Sequence, residues 1–346
     1  MFSQYSGGVA AECGPRSNRG DSLAGLAQRR RFAAGYTRGS LRIARRDAPR
    51  STVNTSPPNH RPWDAFLAWY FVTAWGSGFI ASKIGLQYAA PFTFLSLRFA
   101  FAVVCMVPIV LVMRPRWPAT RAELAHVVVA GLVLHAVHLG GSHYAQYLGV
   151  SAGITAVLLT VQPLLTALIA SRWLGEQLTR RQWAGIGVGF AGVVLVVWHK
   201  IDIREMTVAS LCAVIIALLA VTAGTLYQRV FCPQVDLRAS AMVQFVASAA
   251  VLAPLAWAVE GFRVAWEWPL LGAILYLVIG SSILAFSALH ILMRHGEATR
   301  VTSLFYLTPV FAVVLEFALF KVVPTMVSVL GIAVTCAGVA LVAWQR

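Results

Sequence analysis

His135, His138, Ser142 and Gln146 recur every three to four residues in a run that holds no Asp, Glu, Lys or Arg. That spacing lays them along one face of a helix, with His143 beside them. Histidine titrates near neutrality, so such a stripe can relay protons or line a polar path. A zinc site is a poorer reading, because no carboxylate or cysteine nearby completes a ligand set, and no metal is expected. The plainer alternative is hydrogen bonding between helices, at under ~1 kcal/mol per contact. Two more residues could do chemistry. Arg98 and Glu316 each interrupt an apolar segment that is otherwise free of charge, where ionisable groups are costly and point to function. They are expected to pair and close a gate; the alternative is that each snorkels to an interface.

The elements holding these groups are legible from composition. The chain has 346 residues, 58% hydrophobic and 12% charged, with mean hydropathy +0.72, against roughly 25% charged residues in a soluble domain. Residues 65–82, 182–199, 206–228, 239–259, 268–293 and 322–345 contain no charged side chain. A helix needs about 20 apolar residues to cross a hydrocarbon core of ~30 Å, and each run is near that length or longer. The uncharged run 124–171 has 48 residues, over twice the length one crossing needs, so it must fold back. GVSAG at 149–153 is the natural turn. Residues 91–113 and 301–320 carry one charge each. The expected fold is all-α, an integral membrane protein with ten transmembrane helices. The five cysteines have no paired spacing and read as small buried hydrophobes.

Residues 1–62 differ from the rest. They hold 11 of the 25 arginines and three acids, with no apolar stretch of a secretory signal. A disordered tail or an over-extended start is the expectation, ahead of a transit peptide or a nucleic-acid-binding arm. The high pI comes largely from this tail, and no nucleic-acid partner is expected. Beyond it, with the N-terminus in the cytoplasm, the cytoplasmic loops hold eleven Lys and Arg and the outer loops five. This agrees with the positive-inside rule and places both termini in the cytoplasm.

An internal repeat organises the membrane body. At an offset of 146, Lys83 falls on Arg229, Phe99 on Phe245, Gly185 on Gly331 and Gly192 on Gly338, and AGVVLVVW (191–198) lies over AGVALVAW (337–344). Two repeats follow, at 63–199 and 207–345, of five helices each. Five is odd, so the second repeat is expected to be inverted, a construction of secondary transporters with the binding site at the repeat interface. Pro163 and Pro309 occupy matched positions. Each is expected to break its helix beside a central cavity, where freed carbonyls can be satisfied; the alternative is an ordinary packing kink.

TAWGSGFIASKIGL (73–86), LSLRFA (95–100) and LLTVQPLLTALIASRWLGEQLTRRQWAGIGVGFAGVVLVV (158–197) resemble the EamA repeat of the drug/metabolite transporter superfamily. In the second half, LTPVFAVVLEFALF and LGIAVTCAGVALV resemble it too. The resemblance covers about residues 63–345. It implies an inner-membrane carrier of small metabolites, amino acids or drugs, frequently an exporter, working by alternating access. The Gly175–Glu176 pair has no counterpart in the second half, where Lys321 and Val322 stand. Glu176 is therefore expected to order a cytoplasmic loop with Arg180 and Arg181, or to be solvated there.

Further pathway residues are Trp75, Gln162, Tyr227, His290 and Tyr306, with His138 the preferred one at mid-depth; the aromatics near helix ends have an interfacial alternative. Aromatic and uncharged polar walls suit a zwitterionic or amphipathic solute better than a polyanion. GIGVGFAG (185–192) permits close helix contact, at a homodimer seam or against the fourth helix. It lies inside a span and is no nucleotide loop. No cofactor and no catalytic residue is expected. The partners are a small-molecule solute and the lipid bilayer. The competing functions are a lipid flippase and an intramembrane lipid-modifying enzyme.

Overall fold

The computed structural model describes residues 62–173, 178–202, 206–294 and 307–343, which are helical apart from short connections. Helix α1 (Pro62–Gly85) and α2 (Pro91–Met113) are joined by a short turn. Helix α3 (Arg121–Tyr147) follows. Thr120 starts it by accepting the Glu123 N–H at 3.1 Å, while Glu123 accepts the Ala119 N–H at 2.8 Å. These two bonds satisfy donors that a helix start leaves free.

The expected fold-back follows α3. Gly149 takes φ +99° there, a conformation only glycine adopts freely. Ser151 caps α4 (Ala152–Leu159), which ends in a turn at Thr160 and Val161 before α5 (Gln162–Trp173). Then come α6 (Arg180–Asp202), α7 (Val208–Phe231) and α8 (Leu237–Glu260). Helix α9 spans residues 268–294 and is followed by α10 (Thr308–Phe320) and α11 (Met326–Ala343). Among the described residues, six stretches are long and apolar enough to cross a membrane: α2, α3, the α4–α5 pair, α6, α7 and α8.

The two prolines take the same place in their helices. Pro163 is the second residue of α5, just past the break from α4, so the fourth helix is interrupted as the sequence implies. Pro309 stands at the second residue of α10. It fits there because first-turn N–H groups have no intrahelical partner; residues 301–306 before it lie outside the described residues.

Both repeats share an irregularity that sequence did not announce. Helix α3 is π-helical at Leu132–Val137 and α9 at Tyr276–Leu284. The offset of 146 lays the first segment inside the second. An insertion of this kind shifts the side-chain register along a helix and is frequent at functional sites.

Contacts between the halves come in exchanged pairs. Helix α1 packs on α9 as α3 packs on α7, and α10 on α1 as α5 on α7. Two pairs join helices to their own counterparts, α2 with α8 and α6 with α11. Along the second, a Cβ added at Gly185 would stand 2.7 Å from the Gly338 oxygen, and one at Gly192 would stand 2.8 Å from the Gly331 oxygen. The pairing therefore runs antiparallel. Gly185, Gly189 and Gly192 of GIGVGFAG thus face α11 of the same chain, Gly189 also meets Leu164 of α5, and a Cβ at Gly187 would meet nothing within 4 Å.

Helix α8 also ends on α2. Glu260 accepts the N–H groups of Phe92 (3.0 Å) and Thr93 (2.7 Å) and the Thr93 hydroxyl (2.7 Å). It supplies the cap that Ala90, at the N-cap position, lacks. Glu260→Ala is expected to lower unfolding stability by about 1–2 kcal/mol, read by denaturant unfolding in detergent. An unchanged midpoint would count against the cap.

Candidate functional site

The crossing of α2 and α8 brings residues together on their own counterparts. Phe99 and Phe245 stack with ring centroids 5.8 Å apart. Immediately before them stand Arg98 and Gln244, also matched at 146. Each reaches the π-helical segment of the opposite repeat. The Arg98 Nη2 donates to Ser282 Oγ at 3.4 Å, and the His135 Nε2–H donates to Gln244 Oε1 at 3.1 Å. The His135 ring lies between Phe99 and Phe245, at 5.5 and 5.2 Å. Gln244 is buried and its amide donates onward to Ser240 (3.0 Å) and Gln228 (3.4 Å). Arg98 and Ser282 are only half-buried.

Glu316 does not pair with Arg98. It is buried on α10, where its carboxylate accepts the N–H groups of Ala152 (3.0 Å) and Gly153 (2.9 Å) at the start of α4. Lys83 of α1 closes on Oε1 at 2.6 Å. Glu316 instead faces free N–H groups and the positive end of the α4 dipole, while Arg98 is held against α9. Lys83 also lies over the Phe320 ring, 4.5 Å from its centroid. Three helices, α1, α4 and α10, are clasped by one carboxylate. A shallow pocket lined by Ser151, Glu316 and Ser328 opens beside it.

The other expected residues are more scattered. His138 donates from Nδ1 to the Ala217 carbonyl at 3.0 Å, which ties α3 to α7. Gln162 donates to Thr225 at 3.0 Å, tying α5 to the same helix. Tyr227 meets His126, with its hydroxyl 2.7 Å from Nδ1, and its ring lies tilted against Phe231 near the end of α7. Trp75 is half-buried in α1 against Phe71. His290 belongs to α9, with its side chain outside the described residues, and Tyr306 and Glu176 lie outside them altogether. Of the expected residues that are described, Arg98 and His135 share the crossing. Lys83, Glu260 and Gln244 were missed as site residues. Gln244 and Lys83 had a signal, since the repeat offset lays them over Arg98 and Arg229; Glu260 had none beyond its charge.

Residues 62–198 and 208–344 each match the model of the EamA-like transporter family. The chain belongs to this family. Several proteins resemble it. The "Uncharacterized inner membrane transporter YedA" of Escherichia coli (strain K12) is 28% identical over 262 residues, 72% of this chain and 80% of that protein. The "Probable amino-acid metabolite efflux pump" of Salmonella typhimurium is 25% identical over 166 residues, 48% of this chain and 53% of the pump. A solved crystal structure at 18% identity superposes with TM-score 0.55, covering 82% of this chain and 98% of that one, which is a likeness of fold. With two EamA repeats and several membrane-spanning apolar helices, this is a multi-pass membrane protein.

Proposed function

We propose that this EamA protein is a secondary carrier that exports small organic solutes, amino acids or similar metabolites, by alternating access. Its body would be ten spans in two inverted repeats, with both termini cytoplasmic. The observation that carries the reading is the set of exchanged contacts. Gly185 meets the counterpart of Gly192, Gly192 meets the counterpart of Gly185, and Phe99 meets its own counterpart. An isologous contact has this form. Its antiparallel sense is what inverted repeats require.

Two π-helical segments flank the crossing, so the binding site belongs at mid-depth there. The Lys83–Glu316 clasp is then the gate on the outer side, since positive-inside counting puts the starts of α2 and α4 outward. Export is supported by the efflux function named for the Salmonella relative. An intramembrane enzyme is less well supported, because Glu316, its natural acid/base group, is engaged by three donors.

Purified protein in proteoliposomes preloaded with labelled amino acids tests the proposal. Solute counterflow above protein-free vesicles is expected, and cells over-expressing the chain should resist toxic amino-acid analogues. Movement of labelled lipid between leaflets with no solute counterflow would replace the carrier by a flippase.

A further inference from the structure

We infer that Arg98 and Ser282 form the subsite that receives the carboxylate of the carried solute; this rests on the carrier reading above. The symmetry of the crossing is broken. Arg98 and Gln244 occupy equivalent positions and face equivalent π-helical segments, yet their surroundings differ. Gln244 is buried, and its oxygen and nitrogen are both used, by His135 and by Ser240 with Gln228. That copy is a closed structural network.

Arg98 is the open copy. Its guanidinium carries several N–H donors in a planar fork, and the hydrogen bond it makes, to Ser282, is long at 3.4 Å. Among the described residues, no carboxylate lies within 4 Å of it. Ser282 spends its own proton on the Leu277 carbonyl at 2.9 Å, so it holds the arginine without neutralising it. A charged side chain in a span faces the bundle interior or a watery cavity. Arg98 does so, because its partner comes from α9 of the other repeat, and it remains only half-buried.

One unneutralised cation at the crossing suits one negative charge. The planar fork matches the two oxygens of a carboxylate. A phosphate dianion would bring excess charge, because Arg98 is the one lysine or arginine among the described residues gathered at this crossing. The class of ligand is a monocarboxylate, zwitterions included.

The full chain in proteoliposomes provides the test. Leucine, phenylalanine and threonine are supplied as free acids and as amides, to the wild type and to Arg98→Gln, Arg98→Lys and Ser282→Ala. The wild type should prefer the acids. Arg98→Gln should lose acid transport by at least about tenfold, the range of a charge-assisted hydrogen bond, while retaining or gaining amide transport. Arg98→Lys should restore part of the acid preference, and Ser282→Ala should weaken it with the charge intact. An unchanged acid-to-amide ratio in Arg98→Gln overturns the subsite, and so does equal loss of both forms, which is what a purely structural arginine would produce. A wild type that moves neither form of any of the three removes the carrier reading and the subsite with it.

Discussion

Glu316→Ala should lower the unfolding stability of the detergent-solubilised protein by about 3 kcal/mol or more, the loss typical of a broken buried ion pair. Three donors lose their acceptor at once. Lys83 keeps its charge with only 27% of its side chain exposed, and the Ala152 and Gly153 N–H groups at the start of α4 are left without the carboxylate. Glu316→Gln should fall between, since its amide oxygen can still accept from the backbone but carries no charge for Lys83.

The informative variant is the double exchange Lys83→Glu with Glu316→Lys. A simple ion pair tolerates a swap of partners. Here the swap should fail to restore stability, because lysine has no acceptor and would point an ammonium at two N–H donors and a positive helix end. Rescue by the swap would falsify the capping role. On the carrier reading, the same loss opens the outer gate. A thiol placed at Ser151→Cys, at the cap of α4, should then react faster with a water-soluble maleimide in the Glu316→Ala background than without it.

Gly338→Leu should abolish recovery of folded protein. A Cβ at this position would stand 2.2 Å from the Gly189 nitrogen and 2.4 Å from its Cα. Both are backbone atoms, so no side-chain rotation relieves the clash. Extra methylenes in a packed core ordinarily cost about 1–3 kcal/mol; displacing two helix backbones along the α6–α11 seam should exceed that range. The control is Gly187→Leu on α6, the other helix of the seam, where an added Cβ meets nothing within 4 Å. It should fold and chromatograph as the wild type. Equal yields for the two variants, by size-exclusion chromatography, would refute the packing seam.

These two expectations show where the sequence was informative and where it was silent. The charge-free runs, the repeat at 146 and the glycines of 185–192 were all readable, because each depends on composition or on self-similarity along one chain. The interruption near Pro163 was readable for the same local reason. The partner of the glycines was not: they could have met a second molecule or the fourth helix, and most of them meet α11. Glu316 was identified as a residue that must have a partner, yet Arg98 was the wrong one.

Such choices depend on which way each helix is turned and how far it is slid against helices distant in sequence. In a soluble protein the apolar stripe marks the buried face. Helices that are apolar all round, as these are, carry no such mark, and lipid is as apolar as their neighbours. The residue types alone determined a two-repeat helical membrane protein with costly charges inside it. Tertiary packing decided which carboxylate caps which helix, and that Arg98 is left open where Gln244 is closed, because hydrogen bonds and backbone contacts select one rotation and register that hydrophobicity leaves undetermined.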